Sequence, residues 1–290
     1  HLSLRRQRQM CIRDRNGALV QGRDLTLISG GGLSNAGTLR ASANLGIQAE
    51  SIGNSGLMQA NQLLQLLATE SIRNAQGGII AGRDVSLQAG SDILNERSVA
   101  THQSANGKAY EHQRQMADSA ARIEAEGDLS MAAGRDLLNV GGALSAGGDA
   151  KLQAGQDLLL ASQQTENSTS RYYDARNYNN RQQIDQYGSD VKVGGDLQAA
   201  AARDMAIVGS QVAAEGDMAL QAGGSMTIAS AANEYHYDAK RKGGSKKVEA
   251  VQDSVTQIAS ELSAGGDFRA VSGQDMNPVS YTHLTLPTKA

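Results

Sequence analysis

The feature that most constrains this chain is a short phrase that keeps returning, a glycine one or two residues before an aspartate, followed by apolar and polar residues in alternation. Between Glu126 and Leu160 it occurs four times, at Asp128, Asp136, Asp149 and Asp157, separated by 8, 13 and 8 residues. Asp128 to Asp149 and Asp136 to Asp157 both span 21 residues, so one full period is 21. A period near 20 means that each unit cannot bury its apolar side alone and must stack on its neighbours, which makes a solenoid. The segments between the marks, such as Leu129-Ser130-Met131, Ala150-Lys151-Leu152 and Leu158-Leu159-Leu160, are short, apolar and bounded by Gly, Ser and Asn. They suit brief strands joined by tight turns. A coil of about 20 residues at ~3.3 Å each has a contour of ~66 Å, room for three short sheets around a narrow core. The expected fold is all-β, a right-handed parallel β-helix, with the hand taken from the preference of strand crossovers. In this register Leu137, Leu152 and Leu220 point inward and Lys151 outward.

Composition agrees with a thin core. The 290 residues include 33 Gly but one Phe, no Trp and two Pro. Large aromatics, which usually fill the core of a globular domain this long, have no room inside such a coil. The net charge of -3 implies no general affinity for nucleic acid. No run of 18 apolar residues exists that could span a membrane as a helix.

Both ends lack the phrase. Residues 1–15 (HLSLRRQRQMCIRDR) and 278–290, ending VSYTHLTLPTKA, read as non-native sequence scars and are set aside. Without them the chain has no Cys, which excludes a disulfide framework and thiolate zinc sites.

Residues 16–99 form simple repeats of about 20 residues, GRDLTL at Gly22 returning as GRDVSL at Gly82 after 60 residues. Each coil carries an Asn, namely Asn35, Asn54, Asn74 and Asn95, at intervals of 19, 20 and 21. Identical amides stacked coil on coil form a ladder, and Asn139 should continue it, because it follows Asp128 by eleven residues as Asn95 follows Asp84. An insert at 100–122 interrupts the pattern. Its second half, EHQRQMADSAARIEAE, has helical propensity without an apolar stripe. Residues 123–277 form a second type of repeat with further inserts at about 161–190 and 232–261. The intervals Asp128 to Asp196 and Asp196 to Asp267 are 68 and 71, each two coils plus one insert. Inserts that recur in register should line one side of the solenoid.

The repeating phrase with inserts in register resembles the haemagglutinin repeats of filamentous haemagglutinin-like exoproteins of Gram-negative bacteria, exported by two-partner secretion. The change of repeat type in mid-chain resembles the shaft of a contact-dependent growth-inhibition exoprotein. The resemblance implies a secreted, cell-surface, outer-membrane-associated shaft segment. It implies an outer-membrane two-partner secretion transporter as partner of the full-length protein, and a secretion domain and toxin outside these residues. A surface receptor on a host cell or neighbouring bacterium completes the implied partners.

Individual residues point the same way. Asp128, Asp136, Asp149, Asp157, Asp196, Asp204 and Asp217 recur at turn positions in every coil, the distribution of turn caps and not of a catalytic cluster. They lack the Gly-Gly-x-Gly-x-Asp pattern of calcium-binding rolls, and Ser225 replaces one of them. His102, His112 and His236 lack metal-ligand spacing. No metal, cofactor or catalytic residue is therefore assigned, and a polysaccharide-active β-helix enzyme is the remote alternative. Seven of eight Tyr lie in inserts. Tyr172, Tyr173, Tyr178, Tyr235 and Tyr237, with the basic tip Lys240, Arg241 and Lys242, are the candidate partner contacts, since Tyr gives large amphipathic area at small entropic cost. Pairing of these Tyr across a hairpin, or packing on the solenoid, is the competing reading.

Overall fold

A computed structural model describes residues 18–107, 110–244 and 246–279; the two terminal segments set aside above lie almost entirely outside them. Nine coils stack in parallel. One coil runs through Arg122–Ala125, Leu129–Ala133 and Leu137–Val140, and the next through Ala143–Ala146, Ala150–Ala154 and Leu158–Ala161. Each strand pairs with its counterpart in the next coil, Arg122 with Ala143, Leu129 with Ala150 and Leu137 with Leu158. The three strands of a coil therefore build three faces of a parallel β-helix. Two of these faces merge where Leu57–Ala68 and Ile79–Ala89 continue from one to the other without a break.

The core is the inward row of every strand. Leu129, Met131 and Ala133 are buried while Ser130 is exposed, the period-2 pattern of a pleated strand. Leu137, Leu152 and Leu220 are all buried and Lys151 is exposed. Each such leucine stabilises by roughly 1.5–3 kcal/mol. The last described strand, Met276–Val279, pairs with Met226–Ala229, so the shaft runs two residues past the boundary at 277.

The inserts depart from expectation in a way that decides the architecture. The stretch from Glu111 is not helical; Val99–Asn106 and Tyr110–Ala117 form an antiparallel hairpin. Gln163–Asp174 with Asn177–Tyr187, and Ala231–Gly243 with Lys246–Ile258, form two more. All three leave the corner that follows the third face, and they pair side by side into one six-stranded antiparallel sheet. We call it the wing. Helical propensity in the first insert is overridden because its returning strand has a partner, Tyr110–Arg114 pairing with Asn167–Arg171.

The wing is continuous because two spacings match. A hairpin occupies two strand spacings of ~4.8 Å, and successive hairpins leave from every second coil, which rises by the same two spacings. The two insert-free coils between the hairpins turn this corner on glycine. Gly141 has φ 60° and Gly209 φ 54°, backbone that L-residues avoid. A Cβ on Gly141 would stand 2.7 Å from that of Gln163, and one on Gly209 2.6 Å from that of Ala231, both at the base of a hairpin.

Candidate functional site

Three polar ladders hold the coils in register. Asn35, Asn54, Asn74, Asn95 and Asn139 are buried at one corner. Each amide nitrogen donates to the amide oxygen of the next coil: Asn35 to Asn54 at 2.8 Å, Asn54 to Asn74 at 2.9 Å, Asn74 to Asn95 at 2.9 Å and Asn95 to Asn139 at 2.8 Å. Asn54 Nδ2 also donates to the Gly56 and Ile79 carbonyls. In the next coil Leu160 faces Asn139, and the ladder stops there.

The aspartates form two further ladders. At the first corner, Asp128 accepts the Asp149 N–H at 2.9 Å, Asp149 that of Asp196 at 2.9 Å and Asp196 that of Asp217 at 2.8 Å. Asp217 in turn accepts from Asp267 at 2.7 Å. At the second corner Asp136 accepts from Asp157, Asp157 from Asp204, and Asp204 from Ser225 at 2.8 Å. The amide capped belongs to the next coil, not to the aspartate's own turn. This explains the glycine directly before each first-corner aspartate, since a Cβ on Gly148, Gly195 or Gly216 would lie 2.3, 2.2 and 2.2 Å from the carboxylate oxygen of the coil before. Stacked carboxylates repel, and Arg answers at the second corner: Arg135 pairs with Asp92 and Asp136, and Arg203 with Asp157. The Arg203 hydrogen bond, joined by the Asp204 amide, outweighs burial and holds the Asp157 carboxyl below its ordinary range. Bonding and attraction from Asp92 and Asp157 likewise raise Arg135 and Arg203. The carboxylates of Asp128, Asp136, Asp149, Asp157, Asp196, Asp204 and Asp217 each face an amide or a guanidinium.

The wing gathers the remaining candidates. Its pairing puts Tyr110, Arg171, Arg181, Tyr237 and Arg241 on one face, and Tyr172, Tyr178, Asp238 and Lys240 on the other. On the first face Arg171 lies over the Tyr110 ring at 5.5 Å and Arg181 over Tyr237 at 6.0 Å. Tyr110 stacks with His112, and Asn179 Nδ2 donates to the Tyr237 hydroxyl at 3.3 Å. At the wing's distal end an open groove of about 770 Å³ is lined by Tyr173, Asn179, Tyr237, Arg241 and Val248. Tyr173 is 74% exposed, at a bulge where the register shifts between Tyr172 and Asp174.

On the opposite face Tyr172 pairs across the hairpin with Tyr178, whose hydroxyl donates to Asp238 at 3.4 Å. Tyr235, on the Arg face, is half-buried between Gln183 and Ser254. The tip is less uniformly basic than its sequence. Glu249 accepts both Lys240 and Lys247 at 2.9 Å, which holds its carboxyl below the ordinary range and raises Lys240. Lys242 stands opposite Lys247, and Arg241 is exposed. His236 pairs with Asp253. The Arg–Tyr pairs were not foreseen from the sequence. Their signal is parity alone, Arg171 and Arg181 falling on one face on either side of the turn at Asp174–Asn177, opposite Asn179 and Thr169.

Comparison with known proteins agrees with this geometry. A hemagglutinin-repeat family model matches residues 16–175 and 170–267. Toxin CdiA of Yersinia pestis is 27% identical over 188 residues, 63% of this chain and 6% of that protein. The tRNA nuclease CdiA-2 of Burkholderia pseudomallei (strain 1026b) is 28% identical over 274 residues, 92% of this chain and 9% of that protein. The chain thus spans less than a tenth of the length of either curated relative. No solved structure matches. With the stacked coils and the match along nearly the whole repeat region, the chain belongs to the hemagglutinin-repeat family.

Proposed function

We propose that this chain is a non-catalytic shaft segment of a large secreted exoprotein of the bacterial cell surface, serving adhesion or contact-dependent competition between bacteria. One observation carries the reading: the recurrent polar residues of the shaft are occupied in joining coil to coil, as the Asp and Asn ladders show residue by residue. A side chain bonded to the next coil is a structural part and not a free acid or base. Nine coils at ~4.8 Å give a rigid rod of roughly 40 Å. The similarity to the CdiA proteins supports the setting. In that setting the full-length protein leaves through an outer-membrane two-partner secretion transporter and remains associated with the surface.

A second reading is favoured by the wing. Its Tyr–Arg face supports direct contact with a surface receptor on a host or neighbouring cell, or assistance in delivering a toxin. Binding of the purified chain to bacterial and epithelial cells separates the two, alongside a variant with all three hairpins shortened to Gly-Ser turns. A pure shaft predicts that neither binds although both keep β-rich circular dichroism. Binding that the shortened variant loses makes the wing the recognition surface. Release of sugar fragments from an acidic polysaccharide would contradict the non-catalytic reading.

A further inference from the structure

The two faces of the wing carry opposite charge. Strand pairing places Arg114, Arg171, Arg181, Arg241 and Lys246 on one face, with Asp174 and Asp185 the two acids among its described residues. The other face carries Glu111, Glu166, Glu234, Asp238, Glu249 and Asp253. There, Lys240, Lys247 and His236 already engage Glu249 and Asp253, which leaves Lys242 as the one described cation of that face outside an ion pair. Among the described residues, Arg114, Arg171, Arg181 and Arg241 make no ion pair, and all four are exposed. Glu234 is likewise exposed without a cation.

We infer that the basic face of one wing stacks on the acidic face of a second copy of this chain. Three observations carry it. Both surfaces belong to the same sheet, so they are equal in area. Six strands at ~4.8 Å and lengths of 8 to 13 residues at ~3.3 Å give each face roughly 900 Å², the area one partner contributes to a stable interface. Charge complementarity then sets which face meets which.

The geometry of the contact follows. Stacked sheets lie ~10 Å apart, closer than two shafts can approach, since a shaft face alone spans strands of four to five residues, ~13–17 Å. The shafts must lie on opposite sides of the stack. Keeping basic against acidic then requires a half-turn about the sheet normal, which makes the two shafts antiparallel. Such a contact leaves one basic and one acidic face free at the ends, so it propagates as an open assembly.

The test is sedimentation velocity on the full chain as a function of salt, with two charge-reversed variants. One carries Arg171→Glu, Arg181→Glu and Arg241→Glu; the other carries Glu166→Lys, Glu234→Lys and Asp238→Lys. The wild-type chain should be monomeric in about 1 M salt and at least double its apparent mass in about 0.01 M, where screening is relieved. Each variant alone should remain monomeric at low salt, with unchanged circular dichroism. Their equimolar mixture should associate again, because each then offers the other a complementary face, which a misfolded variant could not do. A wild-type chain that is monomeric throughout overturns the proposal. So does association that survives both variants, or a mixture that fails to associate. Capture by an anionic polysaccharide in place of self-association would assign the basic face to a glycan instead.

Discussion

The shaft and the wing are both all-β, yet they are held together in opposite ways. In the shaft each residue answers to the equivalent position one coil away, in parallel register and with one row of the inner coils' strands buried. In the wing each residue answers to a different residue across an antiparallel pair, and most side chains on either face are exposed or half-buried. The shaft's sequence is therefore confined to a few residue types per position, while the wing's is free to vary within its strand length. Repetition builds the rod; variation is admitted where the rod does not need it.

The comparison can be broken most severely in the shaft. Leu152 is fully buried and Lys151 beside it is exposed. Leu152→Asp buries an unpaired charge and should abolish cooperative unfolding of the adjoining coils, a loss of more than about 4 kcal/mol. Lys151→Asp should lie within about 0.5 kcal/mol of wild type. Chemical denaturation of the pair measures both, and equal damage would refute the register.

Next comes the Asn ladder. Asn74 donates to Asn95 and to the Gly78 and Arg122 carbonyls and accepts from Asn54. Asn74→Ala leaves buried partners unpaired and should cost about 1–3 kcal/mol. The matching change in the wing, Asn179→Ala, removes one half-buried bond to Tyr237 and should be close to silent in the same denaturation experiment.

A smaller effect is set by pH. The folded Asp157 carboxyl titrates below its unfolded value, so its contribution is present above the unfolded pKa of ~3.9 and fades as pH falls through the lowered folded one. Because the Asp157–Arg203 pair is partly exposed, with side chains 34% and 57% accessible, the effect should be a fraction of the full linkage value. The melting temperature of Asp157→Asn should fall below wild type near neutral pH, and the gap should narrow in acid. A constant gap across that range would remove Asp157 from the ladder's pH response.

The same contrast explains what the sequence disclosed. The coils were legible because Asn35, Asn54, Asn74 and Asn95 return at nearly constant steps and Leu137, Leu152 and Leu220 keep their parity with the glycines. The glycine directly before Asp149, Asp196 and Asp217 was legible as a mark but not as a cause, because the carboxylate it avoids lies a full coil or more away in sequence. The wing left no comparable trace. Partners on neighbouring hairpins, such as Arg114 and Asn167 or Arg181 and Tyr237, lie more than 50 residues apart and share no residue type. In the first insert, Glu, Gln, Arg and Met favour a helix locally, and only the neighbouring hairpin makes the strand the better state. The interval of two coils between inserts was visible; that two coils and one hairpin have equal thickness is a fact of geometry that residue types do not encode.

The central claim is that the three inserts form one sheet because hairpin and coil spacings agree. Amide hydrogen exchange tests it directly in the full chain with Gln163–Tyr187 replaced by a Gly-Ser turn. The account predicts that the shaft strands keep their protection, while Tyr110–Arg114 and Glu234–Lys240, which lose their partners on the second hairpin, exchange markedly faster. Unchanged protection in both would show three independent hairpins and contradict the continuous wing.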